Sequence, residues 1–315
     1  MWRTVRQVEG HDDSRGLVLA FAAYGLWGFF PLYFHLLAAS GSVEIVAHRI
    51  AWTLVFCLIG VTVRRNWASV RAVVADRRLV GSLVIAGCLV SVNWLMYIYA
   101  VVTDHVVDAA LGYFMNPLVT VVFALIFLRE RLRPRQAVAL GLGLVSVLVM
   151  AIGAHRVPWL GLGLAVSFGL YSLLKNRVGH RASPLAGLGI ETVALAPVSF
   201  GYILWLGVMG RGTFTTLGPG YAVLLAMAGL VTAVPLLFFA AGAARLSLVS
   251  LALVQYITPT MQFAIGVLVF DEHMPPARWV GFFIIWAALV VLTWDVIRRV
   301  RHDGSGSPAE ASQLG

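Results

Sequence analysis

Charge is scarce in this 315-residue chain. Only 12% of its residues are Asp, Glu, Lys or Arg, about half the ~25% usual in soluble domains. Hydrophobic residues make up 60%, and the mean hydropathy is +0.88. That balance excludes a soluble globular protein, a disordered chain and a collagen-like repeat. Cysteine is scarce as well. Cys57 and Cys88 are the two present, both inside apolar runs, where Cys packs as a small side chain, so a disulfide scaffold is excluded. There is no His-x-x-x-His pair, no Gly-rich loop before a Lys and no nucleophile constellation. No metal, no cofactor and no enzymatic activity are therefore expected.

What the chain does have is ten apolar runs, at 16–37, 43–63, 79–102, 106–128, 137–153, 158–174, 184–208, 220–241, 248–270 and 277–297. About 20 apolar residues cross a bilayer as a helix, and the fifth and sixth runs sit near the minimum. The expected class is an all-α integral membrane protein with ten transmembrane helices. Ala38-Ala39-Ser40 loosely resembles a signal cleavage site, but the first run is too long for a signal core and contains Pro31; cleavage is not expected. The polar, Gly/Ser-rich tail after Arg301 reads as disordered.

The net charge of +9 would suggest nucleic acid in a soluble protein. Placed on ten helices with both termini inside, 19 of the 23 Lys and Arg fall in cytoplasmic segments and three in outer loops, with Arg49 inside the second run. That is a positive-inside pattern, and it predicts two cytoplasmic termini and no role for nucleic acid.

The two halves resemble each other. A shift of 142 residues lays Pro117 on Pro259, Glu130 on Glu272, Pro134 on Pro276, and Ala86-Gly87 on Ala228-Gly229. Five runs per half is an odd number, so the second half is predicted to be inverted. The expected organisation is a tail over 1–15, a first repeat over 16–153, an inverted second repeat over 158–297 and a tail over 298–315. Inverted repeats suit alternating access; a duplication kept only for folding is the plainer reading.

The few polar residues inside the runs are the candidates for a path through the bundle. Tyr113, Asn116 and Thr120 are spaced i, i+3, i+7 along one helical stripe, and Gln255, Thr258 and Gln262 repeat it in the second half. The stripes read either as walls of a central cavity or as interhelical hydrogen-bond glue. Pro117 and Pro259 stand within them as candidate kinks. Asn93 and Tyr97, with Trp94 adjacent, face one side of the third run, and Pro235 and Phe239 are their counterparts. Tyr24 and Trp27 share a face of the first run, as do Phe168 and Tyr171 in the sixth. These aromatics either stack on a planar solute or pack in the ordinary way. Glu44, His48 and Arg49 form the densest ionisable cluster, read either as a proton-responsive gate or as a helix-end network.

Several stretches carry a resemblance. They are Ala23-Tyr24-Gly25-Leu26-Trp27-Gly28, Glu44-Ile45-Val46-Ala47-His48-Arg49, Asn93-Trp94, Gly112-Tyr113-Phe114-Met115-Asn116-Pro117, Thr232-Ala233-Val234-Pro235 and Gln255-Tyr256-Ile257-Thr258-Pro259. Together they make the chain similar to the drug/metabolite transporter superfamily with two EamA-type five-helix repeats, and within it to the RarD branch. His35 and Asp108 depart from the Lys and Glu common there. The resemblance implies a bacterial inner-membrane carrier whose cavity is formed by the first, third, fourth, sixth, eighth and ninth helices, with efflux as the direction. The branch label, chloramphenicol sensitivity, reports a phenotype and does not fix a substrate. The expected partners are a small-molecule substrate and the lipid bilayer, with a homodimer left open. A passive channel or facilitator is the alternative, followed by a membrane-embedded enzyme, which would need clustered catalytic groups at one interface that the sequence lacks.

Overall fold

A computed structural model describes residues 14–128, 134–153, 158–178, 181–243, 245–246 and 254–304. Glu130, the start of the ninth run and the tails beyond these limits lie outside the described residues.

Each of the ten apolar runs carries a helix. The first run is split into α1 (Ser14–Gly28) and α2 (Phe30–His35). The next are α3 (Ser42–Val63), a short α4 (Trp67–Ala75), α5 (Arg77–Val102), α6 (Val106–Leu128), α7 (Pro134–Gly153) and α8 (Trp159–Val178). Then come α9 (Pro184–Val208), a single-turn α10 (Thr213–Thr216), α11 (Pro219–Ala243), α12 (Ile257–Leu268) and α13 (Pro276–Gly304). Among the described residues no strand occurs, and five helical segments are long and apolar enough to cross a membrane. Large apolar side chains stand fully outward on these helices, Val63, Val198 and Leu204 among them. Water would penalise such a surface; lipid does not.

The split in the first run has a local cause. Pro31 has no N–H, so the carbonyl of Trp27 four residues earlier has no helical donor. The chain tightens around Phe29 through Phe29 N–H to Leu26 O and Leu32 N–H to Phe29 O, both 3.2 Å. Helix starts are fixed by side chains. Ser183 precedes Pro184 and accepts from Ala186 N–H at 3.4 Å, a hydroxyl cap followed by a proline at the first helical position. The Glu272 carboxylate accepts from Val106 N–H at 2.6 Å and Val107 N–H at 2.9 Å, placing an anion at the start of α6.

Asp76 caps α5, accepting from Arg78 and Leu79 N–H at 3.1 Å each and meeting the Arg181 guanidinium. The Leu79 hydrogen bond foremost, with help from Arg181, holds this carboxyl below its ordinary value of 3.8. A depressed folded-state value stabilises the protein above the unfolded value, and that contribution disappears as pH falls through the folded value. Asp76→Asn is therefore expected to lower the thermal midpoint at pH 7. The gap to the parent should close as the pH is taken below 3.8, read by thermal unfolding at both ends of that window.

The chain forms two compact units. The first comprises residues 1–116 with 160–272, and the second 117–159 with 273–315. In the first, α3 packs against α9 and α11, α1 against α11, and α5 against α9. Glycines permit the closest of these approaches. A Cβ on Gly87 of α5 would lie 3.0 Å from Glu191 O on α9, and one on Gly229 of α11 would lie 2.6 Å from Thr53 N on α3. In the second unit α7 and α13 pack together, and Ser146 Oγ donates to Gly281 O at 2.8 Å.

Candidate functional site

Inside the first unit lies a cavity of about 490 Å³, the open space at its mouth included. α1 and α2 contribute Tyr24, Trp27 and Phe30; α5 contributes Val90, Asn93, Trp94 and Tyr97. Tyr113 comes from α6, Phe168 from α8 and Leu236 from α11. Gln255, Thr258, Pro259 and Gln262 come from the ninth run. All six runs that the family resemblance places at a cavity line this one. α3 adds a side chain from outside that set, Arg49.

The wall is mostly aromatic. Trp27 meets Tyr24 edge-on at 5.4 Å and Phe168 edge-on at 6.1 Å, and Tyr97 and Tyr113 lie 5.7 Å apart. Phe239 and Tyr171, expected in the wall, stand one row behind it. Phe239 packs on Trp27 at 5.5 Å and Tyr171 on Phe168 at 5.9 Å.

The polar residues of the wall also tie the helices together. Asn93 Nδ2 donates to Leu164 O and Ser167 Oγ on α8, both at 3.0 Å, and its Oδ1 accepts from Tyr113 OH at 3.1 Å. Thr258 Oγ1 donates to Tyr24 O at 2.6 Å. Gln262 Nε2 donates to Trp27 O at 3.0 Å, supplying the bond that Pro31 withholds. Cavity wall and interhelical glue are thus the same side chains. Three polar atoms of the lining, Arg49 Nη1, Tyr97 OH and Gln262 Oε1, are buried without a protein partner. Asn116 is buried with its Oδ1 unpartnered, but it is outside the lining. The side chains of Thr120 and Pro117 fall outside the described residues. Pro259 is the third residue of α12, just after the turn at Tyr256 that follows helical residues 254–255.

The ionisable cluster of α3 is divided. Glu44 Oε1 accepts from Thr213 N–H at 2.7 Å and Thr213 Oγ1 at 3.0 Å. His48 stacks on Phe214 at 4.9 Å with 15° between the rings. Both face α10, where Ser40 bonds Thr213 and Tyr221 at 2.5 and 2.7 Å. Arg49 turns instead toward the cavity. It is 1% exposed, its Nε donates to Thr232 Oγ1 at 2.6 Å, and its Cζ lies 4.2 Å from the Trp94 ring centre, 5.1 Å from Phe34 and 5.4 Å from Phe30. Sequence reasoning missed Thr232, Phe30 and Phe34. Carrying the Tyr24–Trp27 spacing one more turn reaches Phe30, whereas nothing in the sequence links Thr232 to Arg49. Among the described residues, no group of three His, Cys, Asp or Glu could hold a metal ion.

Comparison with known proteins fits this arrangement of helices. The EamA-like transporter family matches residues 14–152. Protein RarD of Streptomyces exfoliatus is 46% identical over 96% of this chain and 95% of its own. The chain is a RarD-type member of the EamA-like, drug/metabolite transporter superfamily. An uncharacterized transporter of Vibrio cholerae serotype O1 is 36% identical over 91% of this chain and 94% of its own length. Among the solved structures that match, one crystal structure has a TM-score of 0.63 over 89% of this chain and 98% of that chain, at 18% identity, a likeness of fold alone. The RarD-type chain is accordingly a multi-pass membrane protein and a transporter of that superfamily.

Proposed function

We propose that the protein is a secondary carrier that exports small organic metabolites or drugs across the bacterial inner membrane by alternating access. The two inverted repeats are residues 16–153 and 158–297, with both termini cytoplasmic. The observation that carries this reading is the aromatic cavity, to which the repeat-related runs contribute in pairs: α1 with α8, α5 with α11, and α6 with α12. Two further observations support it. Basic residues gather on one side of a ten-span topology. The repeat-related glycines Gly87 and Gly229 also sit at equivalent close approaches, α5 on α9 and α11 on α3. Export follows the family resemblance. Gradients are the energy source, because the sequence holds no phosphate-binding loop.

Counterflow in proteoliposomes tests the reading. A carrier preloaded with solute should show saturable uptake of labelled solute that vanishes when the preload is omitted. Flux that rises linearly and ignores the preload would establish a passive channel instead. Gln262→Leu leaves Trp27 O without a donor, at about 1–3 kcal/mol, and unties α12 from α1. Its counterflow is expected to fall on the order of tenfold, measured at matched protein incorporation.

A further inference from the structure

Arg49 presents an unusual arrangement. A guanidinium has five N–H donors around its edge and two faces. Its surroundings satisfy the faces and one donor: Trp94, Phe34 and Phe30 surround it, and Nε is taken by Thr232. Nη1 is buried with no hydrogen-bond partner. The ionisable groups around it are the phenols of Tyr33, Tyr97 and Tyr113; among the described residues it has no carboxylate partner. Aromatic faces attract a cation, yet they do not replace a counter-ion for a charge withdrawn from water. Buried charges are as a rule paired, and here the open edge belongs to a side chain that lines a cavity.

We infer that Arg49 is the recognition point for a carboxylate on the transported solute, and that the substrate class is an organic monoanion with a flat apolar body. This deepens the carrier reading of the same cavity and rests on it. Among the described residues the lining holds one cation, so it balances one negative charge; a phosphate dianion or a dicarboxylate would bring in an uncompensated charge. Arg suits a carboxylate because its fork of N–H groups matches the two oxygens. The body of the solute lies against Trp27, Tyr113 and Phe168. The unpartnered Tyr97 OH can donate to the anion, and Gln262 Oε1 can accept from an N–H or O–H on the solute.

The test compares phenylacetate with its neutral isostere phenylacetamide, and with phenyl phosphate, on the purified full-length protein in detergent. Dissociation constants are read from the rise in melting temperature and from calorimetry. Phenylacetate is expected to bind at least about tenfold more tightly than the amide and than phenyl phosphate. In Arg49→Gln the acid-to-amide ratio should fall to about one. In Thr232→Val, which keeps the guanidinium and removes its Nε partner, a preference for the acid should persist. The wild-type comparison requires no variant, so misfolding of Arg49→Gln leaves the inference exposed to refutation. Equal binding of acid and amide, no binding of either, tighter binding of phenyl phosphate, or an acid preference that survives Arg49→Gln each overturns it. Saturable counterflow of neutral solutes without acid preference would overturn this inference and leave the carrier standing. Acid-selective binding without any counterflow would support the carboxylate site and overturn the carrier.

Discussion

Lys175→Met is expected to destabilise the folded protein by about 3–5 kcal/mol. Lys175 Nζ donates to Glu191 Oε1 at 2.6 Å, and the two side chains are 11% and 2% exposed. The pair joins the last turn of α8, where a cation complements the helix dipole, to the second turn of α9. Removing the ammonium strands a carboxylate among apolar side chains, with Glu191 Oε2 already unpartnered. The large effect belongs to breaking the pair; the pair's net worth against a hydrophobic alternative is much smaller. Lys175→Met/Glu191→Leu should therefore recover most of the loss. Unfolding of the parent, both single variants and the double variant in mixed micelles gives the full cycle. A Lys175→Met loss below about 1 kcal/mol would mean that the pair behaves as a solvated one.

Gly229→Val is expected to cost about 1.5–4.5 kcal/mol. Part is overpacking at about 1–3 kcal/mol. A Cβ at this position overlaps the Trp52 carbonyl carbon and lies 2.6 Å from Thr53 N, all fixed backbone of α3. The rest is the hydrogen bond from Thr53 Oγ1 to Gly229 O at 3.2 Å, worth about 0.5–1.5 kcal/mol. Gly201→Ala is the contrast. Gly201 lies in α9 with nothing within 4 Å of an added Cβ, so alanine there should stabilise by about 0.5–1 kcal/mol through helix propensity alone. Opposite shifts in thermal midpoint for the two glycines check the assignment. The effect of Gly229 also reaches the cavity, because Thr232 lies one turn further along α11 and holds Arg49. Parting α3 from α11 stretches that 2.6 Å bond.

Helix positions were readable from the sequence because each apolar run is long and its breaks are polar. The run 184–208 and α9, or 106–128 and α6, coincide to the residue. The stripes were readable in part: the second-half stripe lines the cavity, whereas Tyr113 alone of the first-half stripe is in the lining and Asn116 is outside it. Tyr113 on α6, Gln255, and Thr258 and Gln262 on α12 all line the cavity, as a 3.6-residue period leads one to expect. The period does not say which helix covers a given face. Asn93 was legible as a polar residue facing protein, whereas its ties to Leu164 and Ser167 depend on the docking of α8. Arg49 was grouped with Glu44 and His48 by sequence proximity, although it lies about 140° around the helix from Glu44. That angle separates α10, which holds Glu44, from the cavity, which receives Arg49. Pro31 was visible, but the partner of the carbonyl it frees, Gln262, is 235 positions away in sequence.

That freed carbonyl gives the cavity wall two leaves. Tyr24 and Trp27 ride on α1, while Phe30 and Phe34, which surround the cation, ride on α2. In an unbroken helix, turning one leaf against the other would rupture the ladder. Here the rung from residue 31 to Trp27 O was never formed, and the side-chain amide of Gln262 closes the gap from another helix. The rings of Tyr24 and Trp27 and the rings of Phe30 and Phe34 beside Arg49 therefore stand on two separate helical segments, joined at Phe29 and tied to α12 through Gln262.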